Sequence, residues 1–77
     1  MSSELPSVAF ARVVRALEEL GFTGRRGKGS HAVFSKPGHP YIVTVPDHGS
    51  APIKKGTLRS IIRATGVTVE EFVKALG

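Results

Sequence analysis

The stretch Arg25-Arg26-Gly27-Lys28-Gly29-Ser30-His31 predicts a tight turn between two strands, and the rest of the fold extends from it. Gly27 and Gly29 permit the positive φ angles that a short hairpin turn requires. Apolar residues resume directly afterwards, at positions 32–34, as expected for the strand that follows. The same stretch sets three cationic side chains beside a histidine, so it combines a turn with a candidate functional site.

The strand after this turn is predicted to span residues 30–36. Because successive side chains of a strand point to opposite faces, Phe34 shares a face with Ala32, and His31 lies on the other one. If Phe34 packs against a helix, His31 faces the open side of the sheet. An imidazole in that position can give or accept a proton near neutral pH. The alternative is a strand histidine that only forms hydrogen bonds to the turn.

Helical spacing and strand composition predict the remaining elements. They are a first helix within Leu5–Leu20 with Ser7 as its N-cap, a first strand at Phe22–Arg26, a third strand at Tyr41–Val45, a second helix from about Gly56 or Thr57 to Thr65, and a last helix opened by a capping box of Thr68 and Glu71. The predicted fold is α+β: a helix, a three-stranded antiparallel sheet and further helices, with the helices on one face of the sheet. A chain of 77 residues predicts a single domain over residues 1–77.

Composition restricts the classes of function. Cysteine is absent, which excludes disulfides, thiolate metal sites and thiol nucleophiles. Eleven Lys and Arg against six Asp and Glu give a net charge of +5, which favours an anionic partner such as nucleic acid. The sequence contains no signal peptide and no apolar run of about 18 residues, so we expect a cytoplasmic protein without a membrane partner. The scattered acidic residues and histidines predict no metal, and no cofactor motif is present.

A second basic cluster precedes the second predicted helix. Lys54 and Lys55 lie at its N-terminus, where free backbone N–H groups and the helix dipole add to the positive charge. We therefore predict a phosphate-binding site here, which Arg59 extends by one turn. Lysines that are merely solvated are the alternative. The predicted phosphate-contacting residues of the chain are Lys28, Gly29, Ser30, Lys54, Lys55 and Arg59.

Two further histidines follow the central stretch. His48 comes two residues after Pro46, at the end of the third predicted strand, next to the strand that carries His31. It is the candidate for a second proton-transfer residue, and the alternative is that it orders the loop or binds a partner. His39 lies in the turn Pro37-Gly38-His39-Pro40, and we predict that it is exposed and without function.

Three blocks of the chain together resemble one known family. They are Arg-Gly-Lys-Gly-Ser-His at residues 26–31, Val-Thr-Val-Pro-Asp-His at residues 43–48 and Lys-Gly-Thr-Leu-Arg-Ser-Ile at residues 55–61. In this order and at these separations the blocks resemble the HicA-type toxins of type II toxin–antitoxin systems. The resemblance extends over nearly the whole chain, from Leu5 to Leu76.

The resemblance implies a double-stranded-RNA-binding-like fold and the activity of an mRNA interferase, an endoribonuclease that needs neither ribosome nor metal. It implies that His31 is the catalytic residue and that a HicB-type antitoxin covers the active surface. Many members of the family carry a glutamine or similar residue at the position of Gly27, and a bulky residue, often histidine, at the position of Ala32. The lack of this bulky residue at position 32 implies a sparser catalytic surface in this chain.

Two other classes of function remain open from the residues alone. A non-catalytic double-stranded-RNA-binding module has the same order of elements and also places lysines at a helix N-terminus, but it gives His31 no role. A small protein-interaction domain would instead use the basic face to bind an acidic partner. Cleavage of RNA separates the first hypothesis from both alternatives.

Overall fold

The computed structural model describes residues 5–26 and 30–77, with only the backbone of residues 25 and 26, and it has an α+β fold. Helix α1 spans Phe10–Glu19, strand β1 Thr23–Arg26, strand β2 His31–Ser35, strand β3 Val43–Pro46, helix α2 Lys55–Thr65 and helix α3 Val69–Ala75. The predicted order of helix, antiparallel sheet and two helices is confirmed. The glycine turn predicted at residues 27–29 lies outside the described residues. No helix in the described part of the chain is long and apolar enough to cross a membrane.

Strand β2 is the centre of the sheet and pairs antiparallel with β1 on one side and β3 on the other. Phe34 of β2 lies opposite Gly24 of β1 and Val43 of β3. Ala32 and Phe34 are buried in the core with apolar residues of all three helices, whereas His31 is exposed. The predicted division of β2 into a core face and an open face is confirmed.

The Phe34 ring packs directly on the backbone of Gly24. A Cβ atom added at Gly24 would lie only 2.2 Å from Cε2 of Phe34. The ring therefore occupies the space in which any other residue would carry its side chain. Only 3% of Phe34 is exposed, and burial of a phenylalanine side chain contributes roughly 1.5–3 kcal/mol. The glycine in β1 is thus a packing requirement of this core.

The first helix begins at Phe10, so the prediction that Ser7 caps it was wrong. The backbone before the helix is extended instead, and the N–H of Ile53 donates a hydrogen bond to the carbonyl oxygen of Val8 at 2.8 Å. Leu5 and Val8 are both buried in the core. A helix capped by Ser7 would break this hydrogen bond and remove the side chains of Leu5 and Val8 from the core. Tertiary contacts therefore override the local capping signal.

The third strand begins at Val43, two residues later than predicted. Tyr41 and Ile42 precede it and are 65% and 62% exposed. The loop before these residues explains the late start of β3. In this loop the Nε2–H of His39 donates a hydrogen bond to the carbonyl oxygen of Ala64 at 2.7 Å. This bond holds the loop against the end of α2 and away from the ladder of β2.

Replacing Gly24 with alanine tests the packing of Phe34. We expect Gly24→Ala to lower the free energy of unfolding by about 1–3 kcal/mol, since the ring must leave its position to admit the methyl group. Urea denaturation measures the change. Gly56→Ala is the matched control: a Cβ atom there meets nothing within 4 Å, so stability should stay the same or rise by up to about 1 kcal/mol. Equal stability of Gly24→Ala and the wild type would contradict the packing.

Candidate functional site

An open groove of about 810 Å³ lies where the ends of β2 and β3 meet the start of α2. The residues that line it are His31, Thr44, Pro46, His48, Ala51, Pro52, Lys54 and Thr57. Three of the predicted site residues, His31, His48 and Lys54, therefore share one surface. They come from a strand, a loop and a helix N-terminus, and only the tertiary fold brings them together.

The pairing of β2 with β3 positions His31 in the groove. His31 lies opposite Pro46, and the N–H of Asp47 donates a hydrogen bond to the carbonyl oxygen of Ser30 at 2.6 Å. This bond continues the pairing beyond the end of both strands and fixes the backbone on either side of the imidazole. His31 is exposed because its neighbour Ala32 points into the core.

The burial of Ala32 corrects one expectation. Ala32 is 3% exposed and packs in the core, on the face of β2 opposite to His31. A bulkier residue at this position would therefore change the packing beneath the sheet. The expectation that alanine here leaves the catalytic surface sparser was wrong, since position 32 does not belong to the open face.

The loop after β3 holds His48 in an ordered turn. The Oδ1 atom of Asp47 accepts a hydrogen bond from the N–H of Gly49 at 2.9 Å, and Gly49 has a φ of +66°, in the left-handed region that favours glycine. The N–H of Ala51 donates to the carbonyl oxygen of His48 at 3.2 Å and closes the turn. His48 is exposed at the groove surface.

Helix α2 presents its N-terminus to the groove. Lys54 is the N-cap residue with an extended backbone, and its side chain makes no capping hydrogen bond. The first turn of α2 carries no acidic side chain. Its backbone N–H groups and the helix dipole therefore favour an anion at this end, next to the Lys54 ammonium group. Thr57 adds a hydroxyl group from the same turn.

Three of the other predicted phosphate-contacting residues are described, and none of the three lines the groove. Ser30, Lys55 and Arg59 are exposed but do not line the groove. Lys55 is the first residue of α2, one position earlier than the predicted start, and its role stays a prediction. Lys28 and Gly29 lie outside the described residues.

Sequence reasoning missed the uncharged part of the lining. Thr44 and Thr57 bring hydroxyl groups, and Pro46, Ala51 and Pro52 form apolar walls. Thr44 could have been found from the alternation of the third strand, which sets it on the open face with His31. The two prolines carry no chemical signal, and only the path of the loop brings them here.

His39 is a structural residue, and the prediction that it is an exposed bystander was wrong. It is half-buried, and its Nε2–H bonds to the carbonyl oxygen of Ala64. Its ring lies edge-on to Phe22, with 5.2 Å between the centroids, and edge-on to Tyr41 at 6.0 Å. The orphan carbonyls at a helix C-terminus need such a donor, which the sequence of a turn does not reveal.

The groove combines proton-transfer groups with an anion site, and none of the described residues that line it carries a carboxylate. Within residues 5–26 and 30–77, no three His, Cys, Asp or Glu side chains form a group that could hold a metal ion. Two imidazoles can move protons, and a lysine beside a helix N-terminus can hold a phosphate. The arrangement therefore suits an anionic substrate that brings its own nucleophile.

The fold and the groove define a small basic α+β protein with two histidines and a lysine on one open surface. The family model described as the HicA toxin of bacterial toxin–antitoxin systems matches residues 10–67, from the start of α1 to just beyond α2. The chain therefore belongs to the HicA toxin family, and a toxin of this kind implies an antitoxin as its partner. A comparison with curated proteins gave no match.

Replacing His39 tests its structural role. We expect His39→Ala to lower the free energy of unfolding by about 1–3 kcal/mol, because the carbonyl oxygen of Ala64 loses its donor and the Phe22 ring loses a neighbour. His48→Ala is the matched control, since an exposed histidine should change stability by no more than about 0.5 kcal/mol. Chemical denaturation measures the free energy of unfolding of both variants. An equal loss of stability in His39→Ala and His48→Ala would contradict the structural role of His39.

Proposed function

We propose that this chain is the toxin of a toxin–antitoxin pair that acts as a metal-independent, ribosome-independent endoribonuclease on mRNA. His31 is the catalytic residue, His48 is the second proton-transfer residue and Lys54 binds the phosphate. The observation that carries the proposal is the groove itself, in which these three side chains meet at the N-terminus of α2 in a chain of the HicA toxin family.

RNA supplies the nucleophile for this reaction. The 2′-hydroxyl attacks the adjacent phosphorus, a bond forms between O2′ and phosphorus, and the bond between phosphorus and O5′ breaks. One imidazole accepts the proton of the 2′-hydroxyl, and the other gives a proton to the departing O5′. The products are a 2′,3′-cyclic phosphate and a 5′-hydroxyl, so the protein has to supply only acid, base and charge stabilisation.

Lys54 and the start of α2 stabilise the charge that develops on the phosphorus-bound oxygens. The N–H groups of the first helical turn are fixed in place before the substrate arrives, so no reorganisation is needed during the reaction. The Thr57 hydroxyl lies in the same turn and can donate to one of the two non-bridging oxygens. Lys28, Ser30, Lys55 and Arg59 extend the contact to neighbouring phosphates along the RNA.

The antitoxin partner is of the HicB type and inhibits the toxin by covering this groove. A protein that occupies the entrance excludes RNA without any change in the toxin. A partner with carboxylates on its docking surface would match the positive charge of the chain.

Cleavage of RNA in the presence of EDTA is the decisive measurement. We expect the wild type to cleave, and His31→Ala to cleave about 10²–10⁴-fold more slowly because general acid–base catalysis is lost. His39→Ala, assayed well below its unfolding temperature, is the matched histidine control and should keep the activity. A 2′,3′-cyclic phosphate end on the product identifies internal attack.

Three results would contradict the proposal. Cleavage by His31→Ala at the wild-type rate removes its catalytic role. A product with a plain 3′-hydroxyl end points to hydrolysis by water. Binding of duplex RNA without cleavage by the wild type favours a non-catalytic double-stranded-RNA-binding module, which the lysines at the start of α2 also suit.

Replacing Lys54 tests the anion site separately from the proton transfer. In a His31→Ala background, Lys54→Ala should weaken the binding of single-stranded RNA and reduce the slope of log K against log salt by about 0.7, the value for one phosphate contact. Lys74→Ala removes an equal charge from α3, outside the groove, and should leave the slope close to that of the parent. Equal slopes for the two variants would show that Lys54 only contributes to the overall charge.

A further inference from the structure

A second depression lies on the open face of the sheet, beside the groove. It has a volume of about 400 Å³ and is lined by Thr23, Gly24, Val33, Ser35 and Ile42. We call it the sheet cleft. Ile42 is 62% exposed at its edge, and the adjacent Tyr41 is 65% exposed. In the described part of the chain, these are the two most exposed large apolar side chains.

The sheet cleft and the groove meet at one cross-strand pair. Val33 lines the cleft, Thr44 lines the groove, and the two residues lie directly opposite each other in β2 and β3. His31 and Val33 are two residues apart on the same face of β2, a distance of roughly 7 Å along the strand. A ligand that reaches past His31 along the sheet therefore enters the cleft.

The groove and the sheet cleft differ in the charge of their lining residues. The groove carries imidazoles and an ammonium group, whereas the described residues that line the sheet cleft are all uncharged. The cleft has the apolar side chains of Val33 and Ile42 and the hydroxyl groups of Thr23 and Ser35. Charged and uncharged groups also lie next to each other along an RNA strand, since each charged phosphate is followed by an uncharged ring with apolar faces and polar edges.

From this juxtaposition we infer that the sheet cleft binds the unpaired base of a nucleotide beside the scissile phosphate, so that the substrate is single-stranded at that position. The inference rests on the proposed ribonuclease function and defines its substrate class. The base packs its face against Ile42, and its edge meets the Ser35 hydroxyl. A base within a duplex is stacked and paired on both sides and cannot enter.

Val33 and Ile42 supply the apolar surface of the cleft among the described residues. An apolar contact of this kind is not specific for one base. The cleft therefore selects unpaired RNA over duplex RNA without demanding one sequence.

The test compares RNA binding by His31→Ala with binding by the double variant His31→Ala/Ile42→Ala, so that no cleavage interferes. The probe is a short, fluorescently labelled single-stranded RNA of mixed sequence. We expect Ile42→Ala to weaken its binding about tenfold, because the base loses the apolar surface on which it packs. Val73→Ala on α3 removes the third large apolar side chain that is exposed among the described residues, and as the matched control it should leave the affinity unchanged.

Duplex RNA of the same sequence should bind equally well with and without Ile42→Ala. Equal affinity of both proteins for the single-stranded probe would overturn the inference. So would a result in which Ile42→Ala leaves RNA binding intact and prevents only binding of the antitoxin, since the cleft would then belong to the protein interface. Binding is the readout throughout, so a failure here is distinct from a failure of the cleavage mechanism.

Discussion

The contact between the Phe34 ring and the backbone of Gly24 is the constraint on which the sheet depends. It sets the register of β1 against β2, and it commits alternate residues of β2 to the core. Phe34 and His31 lie three positions apart in β2, so burial of the ring turns the imidazole to the open face. The register with β3 then aligns His31 with Pro46 and brings the following loop beside it.

The sequence was sufficient to predict the type and order of the helices and strands and which residues of β2 point into the core. Those features depend on local periodicity, on glycine at the ends of α1 and α2 and on the capping box of α3, all of which are present in the structure. The wrong boundaries have distant causes. Ile53 holds the segment before α1 extended, and Ala64 holds His39 and delays the start of β3. No short-range pattern contains either contact.

The residues of the candidate site were likewise predicted only in part from the sequence. His31, His48 and Lys54 were selected by residue type and by their position at element ends, and they line one groove. Their proximity depends on the loop between β3 and α2, whose turn at Asp47 and Gly49 sequence reasoning recognised only as a loop. The threonines that complete the lining lack charge, so composition could not distinguish them from surface residues.

Pro46 has a consequence for how the sheet meets other chains. The N–H of Asp47 points towards β2, and N–H groups alternate along a strand, so the nitrogen of Pro46 faces the free edge of β3. A proline there offers no donor to an incoming strand, which discourages edge-to-edge pairing between copies of the protein. Pro46 thereby removes one hydrogen-bond donor from this edge, at the end of the sheet that carries His31.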